Sequence, residues 1–363
     1  MPYIENILEG YIKNNRAKMK ILIVGNNYSW SLETYFMNLL NELPKVEVKI
    51  FPAQRFFLIF YSKGILRKIW FKIGLSRIYS KINKRLIDSL SKNKPDIILV
   101  FKGMEINTMT LSKIKNQGIL LVNYNPDNPF IFSGRGSGNS NLKKSLTLYD
   151  FHLTYSQEVM VQFFQMGIRS FLMPFAFHNE KSHREITAEH DEILKICFVG
   201  NADIHRAKFI NSLATKGVQI DVYGSGWNTF KMNESINLGP FLWGAAFFEK
   251  INKYRVQLNL MRVHNLNSHN MRSFEIPGNL GIQIAPRTFD HVNFFNDGED
   301  IFLFDDIDEC VEKINYVLSM TFEKAVDIRK NSYYHVKDLH TYKYRISELY
   351  NILNNELQII NNC

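Results

Sequence analysis

The stretch "MKILIVGN", residues 19–26, opens the regular part of the chain and indicates its fold. It is a continuous apolar run that ends near a glycine, which is typical of a parallel strand buried on both faces. The segment "SLETYFMNLLNEL" follows, with apolar residues at helical spacing and Ser31 in the position of an N-cap. The next apolar run, "VEVKIFPA", completes a strand–helix–strand unit, and such units build parallel sheets covered by helices.

The same alternation continues along the chain. We expect strands at "DIILVFKG", "ILLVNYNPD", "FHLTYS" and "SFLMPFAF", with helices near 108–116 and 141–149 and at "QEVMVQFFQMG". One long basic helix is expected around 64–92. The charged segment "HNEKSHREITAEHDEILK" interrupts the pattern and is interpreted as a linker. A second series then runs from "KICFVGN" through "VQIDVYGSGW", "VQLNLMR" and "DIFLFDD" to helices at the C-terminus.

The predicted fold class is α/β, with two doubly wound, Rossmann-like domains that face a cleft and are followed by C-terminal helices. Ligands of such sheets bind beyond the carboxyl ends of the strands, so we expect the site at that edge. The predicted segments are a leader at 1–18, an N-terminal domain at 19–178, a linker at 179–192, a C-terminal domain at 193–335 and a C-terminal helix at 336–363.

Composition and cysteine usage favour a cytoplasmic protein. Of the 363 residues, 45% are hydrophobic and 22% are charged, which is typical of a soluble globular chain. Cys197, Cys310 and Cys363 show neither paired nor metal-ligand spacing, as expected in a reducing compartment. No apolar run reaches the roughly 18–20 residues that span a bilayer, and the N-terminal residues lack the apolar core of a signal peptide.

The net charge of +9 comes from one segment. Nine basic residues and no acidic one lie between 53 and 87, which leaves 35 basic against 35 acidic residues elsewhere. The basic residues are Arg55, Lys63, Arg67, Lys68, Lys72, Arg77, Lys81, Lys84 and Arg85. The apolar residues that approximate one helix face are Leu66, Ile69, Ile73, Ile82 and Leu86. Such a helix suits an anionic membrane surface; the alternative is a core-packed helix with a basic solvent face. Nucleic acid is disfavoured, because no recognised binding module is present.

The stretch "HNMRSFEIPGNLG", residues 269–281, predicts a phosphate site. A helix that starts near Met271–Ser273 leaves its first N–H groups unpaired, and its dipole attracts negative charge. Arg272 adds a bidentate donor, and Glu275 can accept two ribose hydroxyl groups. The alternative is that Glu275 is a helix-start carboxylate with Arg272 as its partner.

Three further strand ends of the second domain carry candidate residues: "VGNADIHR", "YGSGW" and "NLMRVHN". The turn in "YGSGW" lacks the third glycine of a dinucleotide fingerprint, so an NAD site is poorly supported. Together with the preceding stretch, the candidate nucleotide-binding residues are Gly200, Asn201, Arg206, Gly224, Gly226, Trp227, His264, His269, Asn270, Met271, Arg272 and Glu275. A lone histidine is more often structural, and that alternative stays open for both histidines.

The segments "FVGNADIHR", "VYGSGW", "HNMRSFEIPGNLG", "FFNDGEDIFLFDDIDE" and "LHTYKYR" resemble those of CgeB-type (spore maturation) glycosyltransferases, members of the GT-B superfamily. The resemblance is clearest over 193–350. It implies an acceptor domain first and a nucleotide-sugar domain second, a C-terminal helix that crosses back, and metal-independent transfer. It also implies that Glu275 holds the ribose. Related retaining enzymes carry a Glu-x7-Glu pair, whereas Asn267 stands at the first position here, so retaining and inverting chemistry both stay open.

Asp127 in "NPDNPF", which resembles the family's Asp-Pro segment, is the candidate catalytic base. Its alternative is an aspartate that opens an Asp-Asn-Pro turn. The run "SGRGSGNSN", residues 133–141, suggests a loop that gates the cleft. Asp306 and Asp308 have a spacing that could suggest a metal, but they precede a helical pattern and fit an N-cap. The sequence predicts no metal site.

These observations predict a cytoplasmic glycosyltransferase that moves a sugar from a nucleotide sugar to a glycan or surface-polymer acceptor. The nucleotide sugar is a substrate, and no cofactor is expected. The expected partners are this donor, a glycan or lipid-linked acceptor and, through residues 55–87, an anionic membrane on its inner face. Two alternatives stay open. One is a UDP-sugar 2-epimerase on the same fold, and the other is a non-catalytic protein that binds sugar nucleotides or glycans.

Overall fold

We describe the protein from a computed structural model that covers residues 18–132, 137–178, 185–242 and 244–362, without the side chains of His264, Asn361 and Asn362. Nearly all of the predicted leader, part of the predicted linker and part of the predicted gating loop lie outside the described residues. By internal contacts the chain divides into two compact units. The first contains the chain up to Tyr124, Ser140–Asp150 and the end from Asn354; the second contains Asn125–Asn139 and Phe151–Leu353. The domain bounds given above stay predictions.

The first sheet has six strands in the order β2-β1-β3-β4-β5-β6. The strands are β1 (Met19–Val24), β2 (Val46–Phe51), β3 (Ile97–Phe101), β4 (Leu120–Asn125), β5 (Phe151–Thr154) and β6 (Ser170–Leu172). Every residue of β3 and β4 is buried, as expected of strands covered on both faces. The pairs β1–β2, β1–β3, β3–β4 and β5–β6 are parallel, which confirms the predicted strand–helix alternation.

The helices of this half are α1 (Leu32–Asn41), α2 (Ala53–Ser62), α3 (Ile65–Lys72), α4 (Ile78–Lys92), α5 (Thr108–Lys115), α6 (Ser140–Ser145) and α7 (Gln157–Gln165). Helix α1 begins where predicted, because the Ser31 side chain accepts a hydrogen bond from the Thr34 N–H. The prediction of one long basic helix over 64–92 is wrong. Gly64 and Gly74 adopt φ values of 130° and 77°, a region that favours glycine, and they separate α3 from its neighbours.

The predicted single apolar face also divides between two helices. Ile82 and Leu86 of α4 are buried in the core of the first unit. Leu66, Ile69 and Ile73, on and just after α3, are 66%, 45% and 59% exposed. Helix α4 therefore matches the alternative of a core-packed helix with a basic outer face, whereas Leu66 and Ile69 of α3 lie in solvent.

The second sheet has the strand order β12-β11-β10-β7-β8-β9, and all of its strand pairs are parallel. Its strands are β7 (Ile193–Val199), β8 (Ile220–Tyr223), β9 (Ile236–Gly239), β10 (Tyr254–Leu258), β11 (Gln283–Pro286) and β12 (Phe302–Phe304). Its helices are α8 (Ile204–Thr215), α9 (Ala245–Lys253), α10 (Arg272–Gly278), α11 (Phe289–Phe294), α12 (Ile307–Ser319), α13 (Phe322–Val336) and α14 (Tyr342–Asn362). The predicted class of two Rossmann-like α/β sheets with C-terminal helices is confirmed.

A buried charge network stabilises the N-terminal end of β7. The Glu192 carboxylate accepts hydrogen bonds from Arg255 Nε at 2.8 Å and from Arg329 Nη2 at 2.7 Å. All three side chains are at most 3% exposed. The second nitrogen of the Arg329 guanidinium donates to the carbonyls of Asn252 and Leu280. Because burial of unpaired charge is costly, this arrangement holds its segments together only while every member is present.

Asp306 caps α12, since its carboxylate accepts hydrogen bonds from the N–H groups of Asp308 and Glu309. This placement agrees with the N-cap interpretation of the aspartate pair.

Candidate functional site

Two glycine-containing turns meet at the carboxyl ends of β7 and β8. Gly224 has a φ of 145°, and a Cβ atom added to it would lie 2.1 Å from the carbonyl oxygen of Gly200. Gly226 has a φ of 85°. The N–H of Ser225 donates to the side-chain oxygen of Asn201 at 3.2 Å. These contacts require glycine at 224 and keep a side chain from separating the two turns.

Trp227 stabilises the turn that follows β8. Its side chain is 3% exposed within the core of the second sheet, and its ring packs edge-on against Phe198. Its indole N–H donates to the carbonyl oxygen of Gly200 at 2.9 Å. These contacts occupy the ring, so the structure supports a role for Trp227 in shaping the turn, and direct contact with a nucleotide stays a prediction.

Arg206 is held rigidly at the start of α8. Asp203 caps this helix and accepts hydrogen bonds from the N–H groups of His205 and Arg206. The Arg206 side chain is 10% exposed, and its guanidinium donates to the carbonyls of Asn201 at 3.1 Å and Leu260 at 2.6 Å. A cation held by backbone carbonyls in this way needs no reorganisation to meet an anion.

Two further arginines, Arg262 and Arg272, act electrostatically on Arg206. The pKa of Arg206 is lowered to about 10 by burial first, and then by the positive charges of Arg262 and Arg272, whereas Asp203 acts in the opposite direction. Arg262 is exposed in the segment that follows β10. Its charge, together with those of Arg206 and Arg272, exceeds that of the two carboxylates that the structure pairs with them, Asp203 and Glu275. A net positive group at the carboxyl ends of parallel strands favours an anionic ligand.

Sequence reasoning missed Arg262. The segment "NLMRVHN" follows a predicted strand, but nothing in the local sequence indicates where the side chain of an arginine in such a segment lies. Its electrostatic effect on Arg206, whose Nη2 donates to the Leu260 carbonyl, marks it as part of the group.

The start of α10 brings Arg272 and Glu275 together. The Arg272 guanidinium donates to the Glu275 carboxylate and lies 3.9 Å from the centre of the Phe247 ring. Glu275 is 6% exposed. The ion pair between Arg272 and Glu275, which is the alternative interpretation, is therefore present. The Arg272 side chain in this pair is 33% exposed.

The prediction of free N–H groups at this helix start is wrong at Ser273 and Phe274, whereas the Glu275 N–H makes the first regular bond of the helix. The Ser273 N–H donates to the Asn270 carbonyl at 3.1 Å, and those of Phe274 and Glu275 donate to the Met271 carbonyl. Asn270 also presents its side-chain oxygen to the Ser273 N–H. Helix α10 has only seven residues and contains Pro277, so we assign the positive potential to the arginine side chains.

His269 is fully buried and both of its ring nitrogens are engaged. Nδ1 lies 2.8 Å from the Asp290 carboxylate, and Nε2 accepts a hydrogen bond from the Phe175 N–H at 3.1 Å. Burial lowers the pKa of His269, and Asp290 opposes this effect. These contacts agree with the alternative interpretation, in which His269 is a structural residue and not a ligand contact. The side chain of His264 lies outside the described residues.

Asn267 and Asp127 occupy ordinary turn positions. The Asn267 side-chain oxygen accepts a hydrogen bond from the Phe289 N–H at 3.1 Å, so it supports the start of α11. The Asp127 N–H donates to the Asn125 side chain at 3.1 Å, and the Phe130 N–H donates to that of Asn128 at 2.9 Å. Asp127 is half-buried. The side chains of Asn125 and Asn128 therefore form the turns on either side of Asp127. The roles of Asp127 as a turn-opening residue and as a base both stay predictions.

The comparisons agree with this geometry at the level of class. Residues 206–351 match the family model described as glycosyl transferase-like, and this range runs from Arg206 through α10 into α14. The predicted enzyme class, a glycosyltransferase, is confirmed. The fold is that of the GT-B glycosyltransferases, whereas the narrower CgeB-type resemblance stays a prediction. No curated protein matches the chain by sequence.

Solved structures share the fold over nearly the whole chain. Anabaena Alr3699/HepE in complex with UDP-glucose is 12% identical, with a TM-score of 0.64, and 93% of this chain and 100% of that chain are covered. The lipopolysaccharide outer core galactosyltransferase WaaB in its apo form is 14% identical, with a TM-score of 0.65 and the same coverage. A Listeria monocytogenes protein assigned as a UDP-N-acetylglucosamine 2-epimerase is 10% identical, with a TM-score of 0.59, and 94% and 97% are covered.

Proposed function

We propose that the protein transfers a sugar from a nucleoside-diphosphate sugar to a glycan or surface-polymer acceptor. The group of Arg206, Arg262 and Arg272 carries this proposal, because a diphosphate is the anionic part of such a donor. The likeness to a protein solved with UDP-glucose supports a uridine donor. The likeness to a lipopolysaccharide galactosyltransferase supports a surface-glycan acceptor.

The chemistry suits fixed cations. The bond between the anomeric carbon and the diphosphate oxygen breaks, and negative charge develops on the departing diphosphate. Donors already aimed at that charge stabilise the transition state more than the ground state. Arg206 is fixed by two carbonyls, and Arg272 is stacked on Phe247. Both side chains are therefore positioned before the donor arrives.

Glu275 is the proposed ribose contact. Its carboxylate is 6% exposed and is paired with Arg272 through one oxygen, Oε2. The two hydroxyls of a ribose can donate to the remaining acceptor positions. In this proposal Arg272 serves both parts of the donor, since it orients Glu275 and also faces the diphosphate.

The proton of the acceptor hydroxyl needs a destination if the reaction inverts the anomeric centre. We assign this role to Asp127, which is half-buried in the turn after β4. Asn267 replaces the first carboxylate of the Glu-x7-Glu pair and is engaged with the start of α11. Retaining and inverting chemistry both stay open, and the configuration of the product separates them.

Metal independence is part of the proposal. Within the described ranges, no three or more His, Cys, Asp or Glu side chains are grouped in a way that could hold a metal ion. Transfer in the presence of excess EDTA supports metal independence, and loss of transfer that Mg²⁺ restores contradicts it.

We also propose a peripheral position on an anionic membrane at the cytoplasmic face. Helix α3 and the residues after it expose Ile65, Leu66, Trp70 and Leu75 by 73%, 66%, 55% and 70%. Basic residues surround them, and the segment 53–87 contains no acidic residue. Each basic residue near an anionic surface contributes about 1 kcal/mol to membrane binding. No helix among the described residues combines the length and apolarity needed to cross a bilayer.

Vesicle sedimentation tests the membrane surface. We expect binding to vesicles that contain phosphatidylglycerol, weaker binding in high salt, and little binding to phosphatidylcholine alone. Trp70→Glu should weaken the binding strongly. Phe164→Glu is the matched control, because Phe164 is an aromatic residue 82% exposed on α7. Equal binding of both variants contradicts the assignment.

Thermal stabilisation by nucleotides, combined with product analysis, tests the function. A nucleotide that binds the folded state raises the melting temperature. We expect one family of nucleoside-diphosphate sugars to stabilise the wild type, Glu275→Gln to reduce the effect, and the exposed control Glu299→Gln to leave it unchanged. An altered sugar nucleotide formed without any acceptor identifies an epimerase. Donor binding without turnover on any glycan identifies a binding protein.

A further inference from the structure

The loop that follows β1, "GNNYSW" at residues 25–30, is built rigidly at the carboxyl end of a central strand. A Cβ atom added to Gly25 would lie 2.8 Å from the Glu33 side chain, so the strand end packs closely against α1. The Asn26 N–H donates to the Glu33 carboxylate at 3.0 Å. The Asn26 side chain in turn accepts from the Asn27 N–H at 2.8 Å. A loop fixed in this way at the ligand-binding edge of a parallel sheet can present side chains in defined positions.

Two aromatic side chains of this loop pack face to face, which holds the exposed Trp30 ring in a defined position. The rings of Tyr28 and Trp30 stack with centroids 4.8 Å apart and planes that differ by 4°. Trp30 is 61% exposed. Arg55, from the first turn of α2, places its guanidinium 5.5 Å from the Tyr28 ring and donates to the Asn27 side chain at 3.2 Å. We call Tyr28, Trp30 and Arg55 the aromatic platform.

The chemistry of the aromatic platform matches a sugar ring. A pyranose has a face of C–H groups, which gains free energy when it leaves water for an apolar surface, and a rim of hydroxyls that require hydrogen bonds. The exposed indole offers the apolar surface. The side-chain amides of Asn26 and Asn27, from the same loop, offer donors and acceptors near the ring pair. A few polar groups converging beside an apolar wall are typical of small-molecule sites.

We propose that the aromatic platform binds a pyranose ring of the glycan acceptor. This inference rests on the proposed function, because it assigns the acceptor of the same transfer reaction. The platform lies in the first unit, whereas the arginine group lies in the second, so the two assignments use different residues and fail separately.

The test is the binding of short cello-, malto-, chito- and galacto-oligosaccharides, printed as an array and confirmed by saturation-transfer NMR. We expect wild type to bind at least one series and Trp30→Ala to weaken that binding about tenfold, with Trp30→Phe intermediate. Phe164→Ala is the matched control, because Phe164 is an aromatic residue 82% exposed on α7 and lies outside the platform and the proposed membrane surface. All variants should bind UDP as the wild type does.

Each other result overturns the inference. If wild type binds no oligosaccharide while UDP binding persists, the platform is not an acceptor site and the donor assignment survives. If Trp30→Ala and Phe164→Ala lose sugar binding equally, the sugar lies elsewhere. If Trp30→Ala loses vesicle binding and keeps sugar binding, the platform contacts lipid. If wild type binds sugar through Trp30 but binds no nucleoside diphosphate, the proposed function fails, and the platform is a glycan-binding surface without an acceptor role.

Discussion

Replacement of Gly224 by alanine tests the close approach of the two turns that follow β7 and β8. The added Cβ would lie 2.1 Å from the Gly200 carbonyl oxygen, whereas ordinary contacts begin at 3.4 Å. One of the two strand ends must therefore move by roughly an ångström. The φ of 145° at this position is also one that L side chains rarely adopt. Both effects act on the backbone that shapes the proposed donor site.

The expected loss can be estimated from these two contributions. A residue held in a sparsely populated backbone region costs about 1–3 kcal/mol, and overpacking of a fixed site costs about 1–3 kcal/mol more. Gly224→Ala should therefore lower the free energy of unfolding by about 2–6 kcal/mol. Gly217→Ala is the control, because Gly217 has a φ of 87° but no atom within 4 Å of the added Cβ. It should lose only about 1–2 kcal/mol.

Urea unfolding followed by circular dichroism measures both values. UDP should still stabilise Gly217→Ala against heat and should stabilise Gly224→Ala much less, because the strand ends have moved. Equal losses of unfolding free energy in the two variants would show that the close approach of Gly224 to Gly200 does not constrain the turn, and the account of the site would have to be revised.

Two further predictions concern the second unit. Glu192→Ala should lower the free energy of unfolding by about 3–5 kcal/mol, because it leaves the guanidinium groups of Arg255 and Arg329 buried without a counter-ion. Glu189 is exposed, so the control Glu189→Ala should change the free energy of unfolding by less than about 0.5 kcal/mol. If urea unfolding gives similar losses for Glu192→Ala and Glu189→Ala, the buried network does not stabilise the second unit. Burial lowers the pKa of His291 to about 4 from 6.5, so between these values the unfolded chain binds more protons and stability falls as pH falls. His291→Gln should flatten this dependence in urea titrations from pH 7 to about pH 4; an unchanged slope would mean that other groups cause it.

Local signals in the sequence were sufficient for the strands and for several helix starts. Ser31 and Asp306 both cap helices where the pattern placed them, because a cap depends on residues two or three positions away. The basic segment shows the opposite case. The apolar spacing predicts one helix over 64–92 that includes Gly64 and Gly74. The backbone adopts positive φ values at both glycines, and the helix is interrupted there.

The candidate site was harder to predict because its properties depend on tertiary contacts. The helix start at Arg272 was placed correctly, but the capping of its N–H groups by Asn270 and Met271 was not anticipated. The burial of His269 against Asp290 follows from packing between distant segments, which no local pattern encodes. Arg262 was not predicted for the same reason, because its proposed role in diphosphate binding depends on its electrostatic effect on Arg206, which a distant segment supplies.

Calorimetric titration of UDP into wild type, Arg262→Ala and Lys216→Ala tests the central claim most directly. Arg262 is exposed, so its removal should leave the fold intact, and Lys216 provides an equal charge change at the opposite end of α8. We predict that Arg262→Ala weakens UDP binding about tenfold, that Lys216→Ala binds as wild type does, and that added salt weakens every complex. The claim is contradicted if wild type binds neither UDP nor another nucleoside diphosphate. It is also contradicted if Arg262→Ala binds UDP as tightly as Lys216→Ala and wild type do, because the arginine group is then not the diphosphate site.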